Sequence, residues 1–122
     1  MGSLCTWYQL AYGNDVVSRY IPLSGDCWIF NGTGDKIDAL GSATWLAKKV
    51  QRSGYADKFR VWGYSGTNDI AGSAERKLVE ALRCFPETFT RDNLSFSMKI
   101  GGQHFYGHIN EYLYWALPQL WK

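Results

Sequence analysis

The stretch 35–55, DKIDALGSATWLAKKVQRSGY, constrains the fold most, because it carries the start, the period and the stop of a single helix. Asp35, backed by a second acid at Asp38, can accept the first free amides, and Ser53-Gly54 supplies a left-handed exit that glycine adopts without steric cost. At about 100° per residue, Leu40, Ala43, Ala47 and Val50 fall on one stripe, flanked by Ala39 and Leu46. Trp45 falls on the opposite side, with Lys48, Lys49 and Arg52 around it. The spacing predicts a helix over 35–53 with an apolar floor and a basic aromatic outer face.

With 122 residues the chain is expected to form one domain, 1–122, large enough to bury a core without staples. A net charge of +2 makes any basic function a local patch, and favours neither nucleic acid nor an anionic membrane as partner. The three cysteines, Cys5, Cys27 and Cys84, are odd in number and form no CxxC, so neither a disulfide framework nor a zinc site is signalled; a reducing cytoplasmic setting is expected. No apolar run approaches the roughly 20 residues of a membrane span. Asn31 and Asn93 begin glycosylation sequons, read as chance matches.

Taken in order, the β-favouring runs 5–12 and 16–21, split by Gly13-Asn14-Asp15, predict an N-terminal hairpin. A short strand at 27–30 then feeds the loop Asn31-Gly-Thr-Gly34. That loop has the glycines of a phosphate cradle but no GxGxxG and no GKS or GKT, and Asp35 sits where the phosphate charge would lie. Residues 58–64 alternate and predict a strand returning beside 27–30, completing a strand-helix-strand unit. A second helix is expected over 73–85, with Ala74, Leu78, Ala81, Leu82 and Phe85 inward and Arg76 paired with Glu80 outward. Gly101-Gly102 between alternating runs predicts a hairpin over 94–109. The segment 110–121 is expected to be a helix capped by Asn110 and ended or kinked at Pro118.

The chemistry offered by these elements is sparse. In the hairpin register His104 faces Lys99 and His108 faces Ser95; the two histidines stand about 13 Å apart along a strand, too far to share a metal. No metal or cofactor is expected. Ser95 with His108 is a nucleophile-and-base pairing with neither an orienting acid nor an oxyanion site.

Two cysteine segments carry resemblances. Gly25-Asp26-Cys27-Trp28 resembles the nucleophile segment of papain-like and calpain-like cysteine proteases, and Cys5-Thr6-Trp7-Tyr8 resembles that of CHAP-type peptidoglycan amidases. Each likeness covers four residues. It implies a small cysteine hydrolase in which Cys5 or Cys27 is the nucleophile and His108 the base, the histidine following Gly107 as in the amidase Gly-His.

The reading that follows is an α+β two-layer sandwich: a mostly antiparallel sheet of five or six strands, helices 35–53 and 73–85 on one face, and an aromatic C-terminal segment closing an edge. The function expected is non-enzymatic protein binding, of inhibitor or adaptor type, through Trp45, Lys48, Lys49 and Arg52. A cysteine hydrolase is the alternative and a nucleic-acid-binding module the third reading.

Overall fold

A computed structural model describes residues 1–27 and 38–122. All but Cys27 of the predicted strand 27–30, the glycine loop 31–34 and the Asp35 cap lie outside the described residues. The elements are α1 (Gly2–Tyr12), β1 (Arg19–Tyr20), α2 (Ala39–Arg52), β2 (Arg60–Gly66), α3 (Gly72–Leu82), β3 (Leu94–Lys99) and α4 (Tyr106–Ala116), followed by a 3₁₀ turn (Leu117–Trp121).

The sheet has three strands in the order β1-β2-β3, and both pairings are parallel. This replaces the expected mostly antiparallel sheet of five or six strands. The register Val61↔Leu94, Gly63↔Phe96 and Ser65↔Met98 puts those residues on one face, under α2 and α3. Trp62, Tyr64 and Lys99 point to the other, where Lys99 of β3 pairs with Glu111 of α4. Parallel neighbours require a crossover, and α2 and α3 provide it.

The helix predicted over 35–53 is α2, but its cap is Asp38, whose Oδ1 accepts the Gly41 amide at 2.7 Å. Ala43, Leu46, Ala47 and Val50 are its buried stripe, whereas Leu40, two residues past the cap, is exposed. The predicted second helix is α3, with Leu78, Val79 and Leu82 buried and Arg76–Glu80 at 3.0 Å on the outside.

Two hairpins do not form. The N-terminal one is α1, because Ser3, Trp7, Leu10 and Ala11 recur at helical spacing and bury one face, which outweighs local β preference. The Gly101-Gly102 hairpin fails for a different reason: a tight turn does form, its centre at Ile100-Gly101 and the Gly102 amide donating to the Lys99 carbonyl at 3.1 Å, but the chain leaving it packs on Gly66 and does not return as a strand. Gly101 takes φ +73°, and a Cβ on Gly66 would lie 2.1 Å from the Gly102 carbonyl oxygen. The Asn68 amide donates to that same oxygen at 2.9 Å, and Thr67 N–H to the Lys99 carbonyl at 3.0 Å. The loop leaving β3 is thereby laid over the end of β2. The C-terminal helix begins at Tyr106, four residues before the expected Asn110 cap, and Pro118 falls in the 3₁₀ turn.

Candidate active site

All three strands deliver a loop at their carboxyl ends, the edge where open parallel sheets present their sites. Past β2 comes Asp69, past β3 His104, and past β1 the turn 23–25. Asp69 closes the polar loop before α3, where its Oδ1 accepts the Ala71 amide at 2.8 Å. The same oxygen lies 3.0 Å from His104 Nδ1. The Asp69 side chain is fully buried and that of His104 is 51 % exposed, so one ring nitrogen is fixed on a buried carboxylate while the ring's other edge meets solvent.

Burial pushes the Asp69 carboxyl up, but the Ala71 amide, the Ser24 hydroxyl and the His104 ring more than offset it and hold it below its ordinary value. The Ser24 hydroxyl favours the carboxylate yet misses hydrogen-bond geometry, leaving Ser24 Oγ and Asp69 Oδ2 without a formed bond among the described residues. An ionised carboxylate behind Nδ1 fixes the ring's tautomer, which is what a general base needs.

His104 lines a cleft of about 550 Å³ together with Met1, Gly2, Ser3 and Thr6 of the α1 end, and Ile21, Leu23, Phe105, Tyr106 and Ile109 supply its apolar walls. The first helical bond of α1 runs from the Cys5 amide to the Met1 carbonyl. The amides before it have no helical partner and carry the positive end of the helix dipole. A buried carboxylate, an oriented imidazole and a helix N-terminus therefore border one cleft. No group of three or more His, Cys, Asp or Glu among the described residues is arranged to hold a metal ion.

The residues singled out in the sequence lie elsewhere. Cys27 is fully buried in the core, and Cys5 is exposed on α1. His108 sits on α4, its Nδ1 accepting the Gln103 amide at 2.8 Å, so it steadies the loop that carries His104. Without the second hairpin Ser95 and His108 do not face each other; Ser95 pairs with Trp62. Trp45 is half-buried against α1, its ring 5.3 Å from that of Tyr8 and 5.9 Å from that of Tyr12, with Lys49 Nζ 4.6 Å over Tyr12. Lys48 and Arg52 are exposed. Sequence reasoning missed Asp69 and His104 as a pair. The available signal was their order, an acid past one strand and a histidine past the next, but it is visible only once the strands are known to be parallel.

No family model matches the chain. It is 32 % identical over 124 residues to endo-1,4-beta-xylanase Y of Acetivibrio thermocellus, covering 97 % of this chain and 11 % of the xylanase. Two solved structures align with a TM-score of 0.82 at 30 % identity, over 95 % of this chain and 41 % of theirs. One is a serine-to-alanine mutant of the feruloyl esterase module from Clostridium thermocellum complexed with sinapinate; the other is described as a structure of FAE. The chain thus spans less than half of each relative. The likenesses point to an enzyme domain and overturn the expected non-enzymatic inhibitor or adaptor.

Proposed function

We propose that this chain contributes the acid–base half of a serine-type ester-hydrolase site, acting on aromatic acyl esters of the kind the feruloyl esterase relative's name implies. The observation that carries this is the Asp69–His104 bond at 3.0 Å beside the cleft at the end of α1. His104 Nε2 would take the proton of an attacking hydroxyl and return it to the leaving alcohol. Asp69, held ionised, would orient the ring and stabilise the imidazolium.

The hydroxyl belongs at the N-terminal end of α1. In α/β-type serine hydrolases the nucleophile stands on a sharp turn, Gly-x-Ser-x-Gly, that opens a helix; the chain order is serine, acid, histidine. Gly2 at the opening of α1 fits the last position of that pattern, and Asp69 precedes His104. A Gly-X-Ser tripeptide set directly ahead of Met1 would complete that pattern and put a serine hydroxyl at the α1 end of the cleft. The amide of the residue after the nucleophile is an oxyanion donor in such sites, a place the Met1 N–H would take in the extended chain. The apolar walls, with Phe105 and Tyr106 at the rim, suit an aromatic acyl group.

The test is methyl ferulate hydrolysis by the chain carrying a Gly-X-Ser tripeptide directly ahead of Met1. Hydrolysis at least about 100-fold above that of the same chain with His104→Ala is expected, the usual contribution of a general base. Equal rates would refute the assignment.

A further inference from the structure

Glu75 is a fully buried carboxyl on α3 for which the reaction above has no use. Its Oε2 accepts the Gly25 amide at 3.0 Å. The same Gly25 peptide is held from the other side, where its carbonyl accepts Ser3 Oγ and, at 2.9 Å, Trp7 Nε1, both on α1. One residue earlier, Ser24 sits at φ +57°, a conformation unfavourable for a residue with a Cβ, while its amide donates to the Tyr64 carbonyl at 2.9 Å. Strained backbone of this kind persists only where the surroundings over-determine it. Here they do: Tyr64 fixes one end of the turn, and Glu75, Ser3 and Trp7 fix the other. The turn touches both parts of the candidate site, for Ser24 abuts Asp69, and Gly25 carries the first turn of α1.

We propose that, given the esterase reading of the Asp69–His104 pair, Glu75 is a positioning residue: its carboxyl clamps the Gly25 peptide and so sets both the Ser24–Asp69 approach and the N-terminal end of α1. Its surroundings favour the protonated form. Burial, with Asp69 and Asp26 as like charges, outweighs the Gly25 and Ser24 amides and pushes the carboxyl well above its ordinary value. Among the described residues Tyr112 also faces it. A glycine on β2 makes the room, since a Cβ on Gly63 would lie 3.2 Å from Glu75 Oε1. Glu75 acts through the turn and does not touch substrate.

The clamp needs a neutral side chain with an acceptor oxygen, which Gln provides and Leu does not. In the 122-residue chain, two signals report it. At neutral pH the infrared carbonyl band of a protonated carboxylic acid is expected in wild type and lost in Glu75→Gln. The downfield proton signal of His104 Nδ1–H bonded to Asp69 is expected in wild type and in Glu75→Gln, and lost in a folded Glu75→Leu. In the serine-extended chain Glu75→Gln should keep ester hydrolysis and its pH profile, while Glu75→Leu loses about 10- to 100-fold in kcat, the effect of a small misplacement. A missing infrared band, or a folded Glu75→Gln that has lost the His104 signal, overturns the proposal; so does a Glu75→Leu that behaves as wild type. Should Glu75→Leu fail to fold, the infrared band and Glu75→Gln decide alone. A wild type with no His104 signal counts against the Asp69–His104 reading itself, and the infrared band still decides whether Glu75 is the neutral clamp.

Discussion

Asp69 Oδ1 and His104 Nδ1 lie 3.0 Å apart although 35 residues separate them in the chain. Each follows a different strand of a parallel pair, so the contact exists only because β2 and β3 run in the same direction and end together.

Removing the charge while keeping the shape of Asp69 isolates its role. Asp69→Asn offers Nδ1 an amide that can present the wrong partner atom and select the wrong tautomer. A loss of roughly 10³–10⁴ in kcat for ferulate ester hydrolysis is expected in the serine-extended chain, as when the acid of a Ser-His-Asp triad is amidated. Steady-state kinetics, with circular dichroism to confirm folding, checks it.

The two buried carboxyls act on stability with opposite sign. Asp69 is held below its ordinary value, so its contribution is full above the unfolded carboxylate pKa and is lost as pH falls through the lower folded value. Glu75 is held above its ordinary value. As pH rises past the unfolded value the unfolded chain ionises and the folded one keeps its proton, so stability declines toward neutral pH. Glu75→Gln removes that decline: the variant should melt higher than wild type at pH 7, with the difference closing near pH 4. Thermal melts across that range check the sign.

The glycine contact that carries His104 over Asp69 has no spare room. Gly66→Ala would drive a Cβ against the Gly102 carbonyl, a backbone atom with no rotamer to escape into. A destabilisation of about 1–3 kcal/mol, the range for overpacking, should accompany loss of the His104 Nδ1–H signal. Denaturant titration and proton NMR measure both effects.

Trp45 joins α2 to α1 through the Tyr8 and Tyr12 rings. Trp45→Ala should cost about 1–2 kcal/mol, a half-buried ring's contacts and its aromatic pairs. The expected loss is in thermal stability, with the His104 signal unchanged.

What the sequence revealed was local. Helix α2 and helix α3 were legible because apolar period, cap and pairs such as Arg76–Glu80 all lie within one or two turns. Helix α1 was obscured by Trp7, Tyr8 and Tyr12, whose β preference masks the Ser3, Trp7, Leu10, Ala11 period that decides the matter when a core is available. The parallel sheet left no local trace, since Tyr20 meets Val61 and Val61 meets Leu94 across separations that no alternation pattern encodes. Gly101-Gly102 was misleading for the same reason: glycine fits a tight turn and a close backbone approach equally well, and only Gly66 distinguishes them. A hairpin at 94–109 sets His104 facing Lys99 and leaves the Asp69 loop without a partner. Of the two cysteines that carry a resemblance, Cys27 is sealed in the core and Cys5 is exposed on α1.

The most direct measurement is rapid-quench mass spectrometry of the serine-extended chain mixed with an aromatic acyl ester. A single acyl group on the serine ahead of Met1, absent when His104 is replaced by Ala, is the predicted result. No adduct, or an adduct on Cys5 that persists without His104, would contradict it.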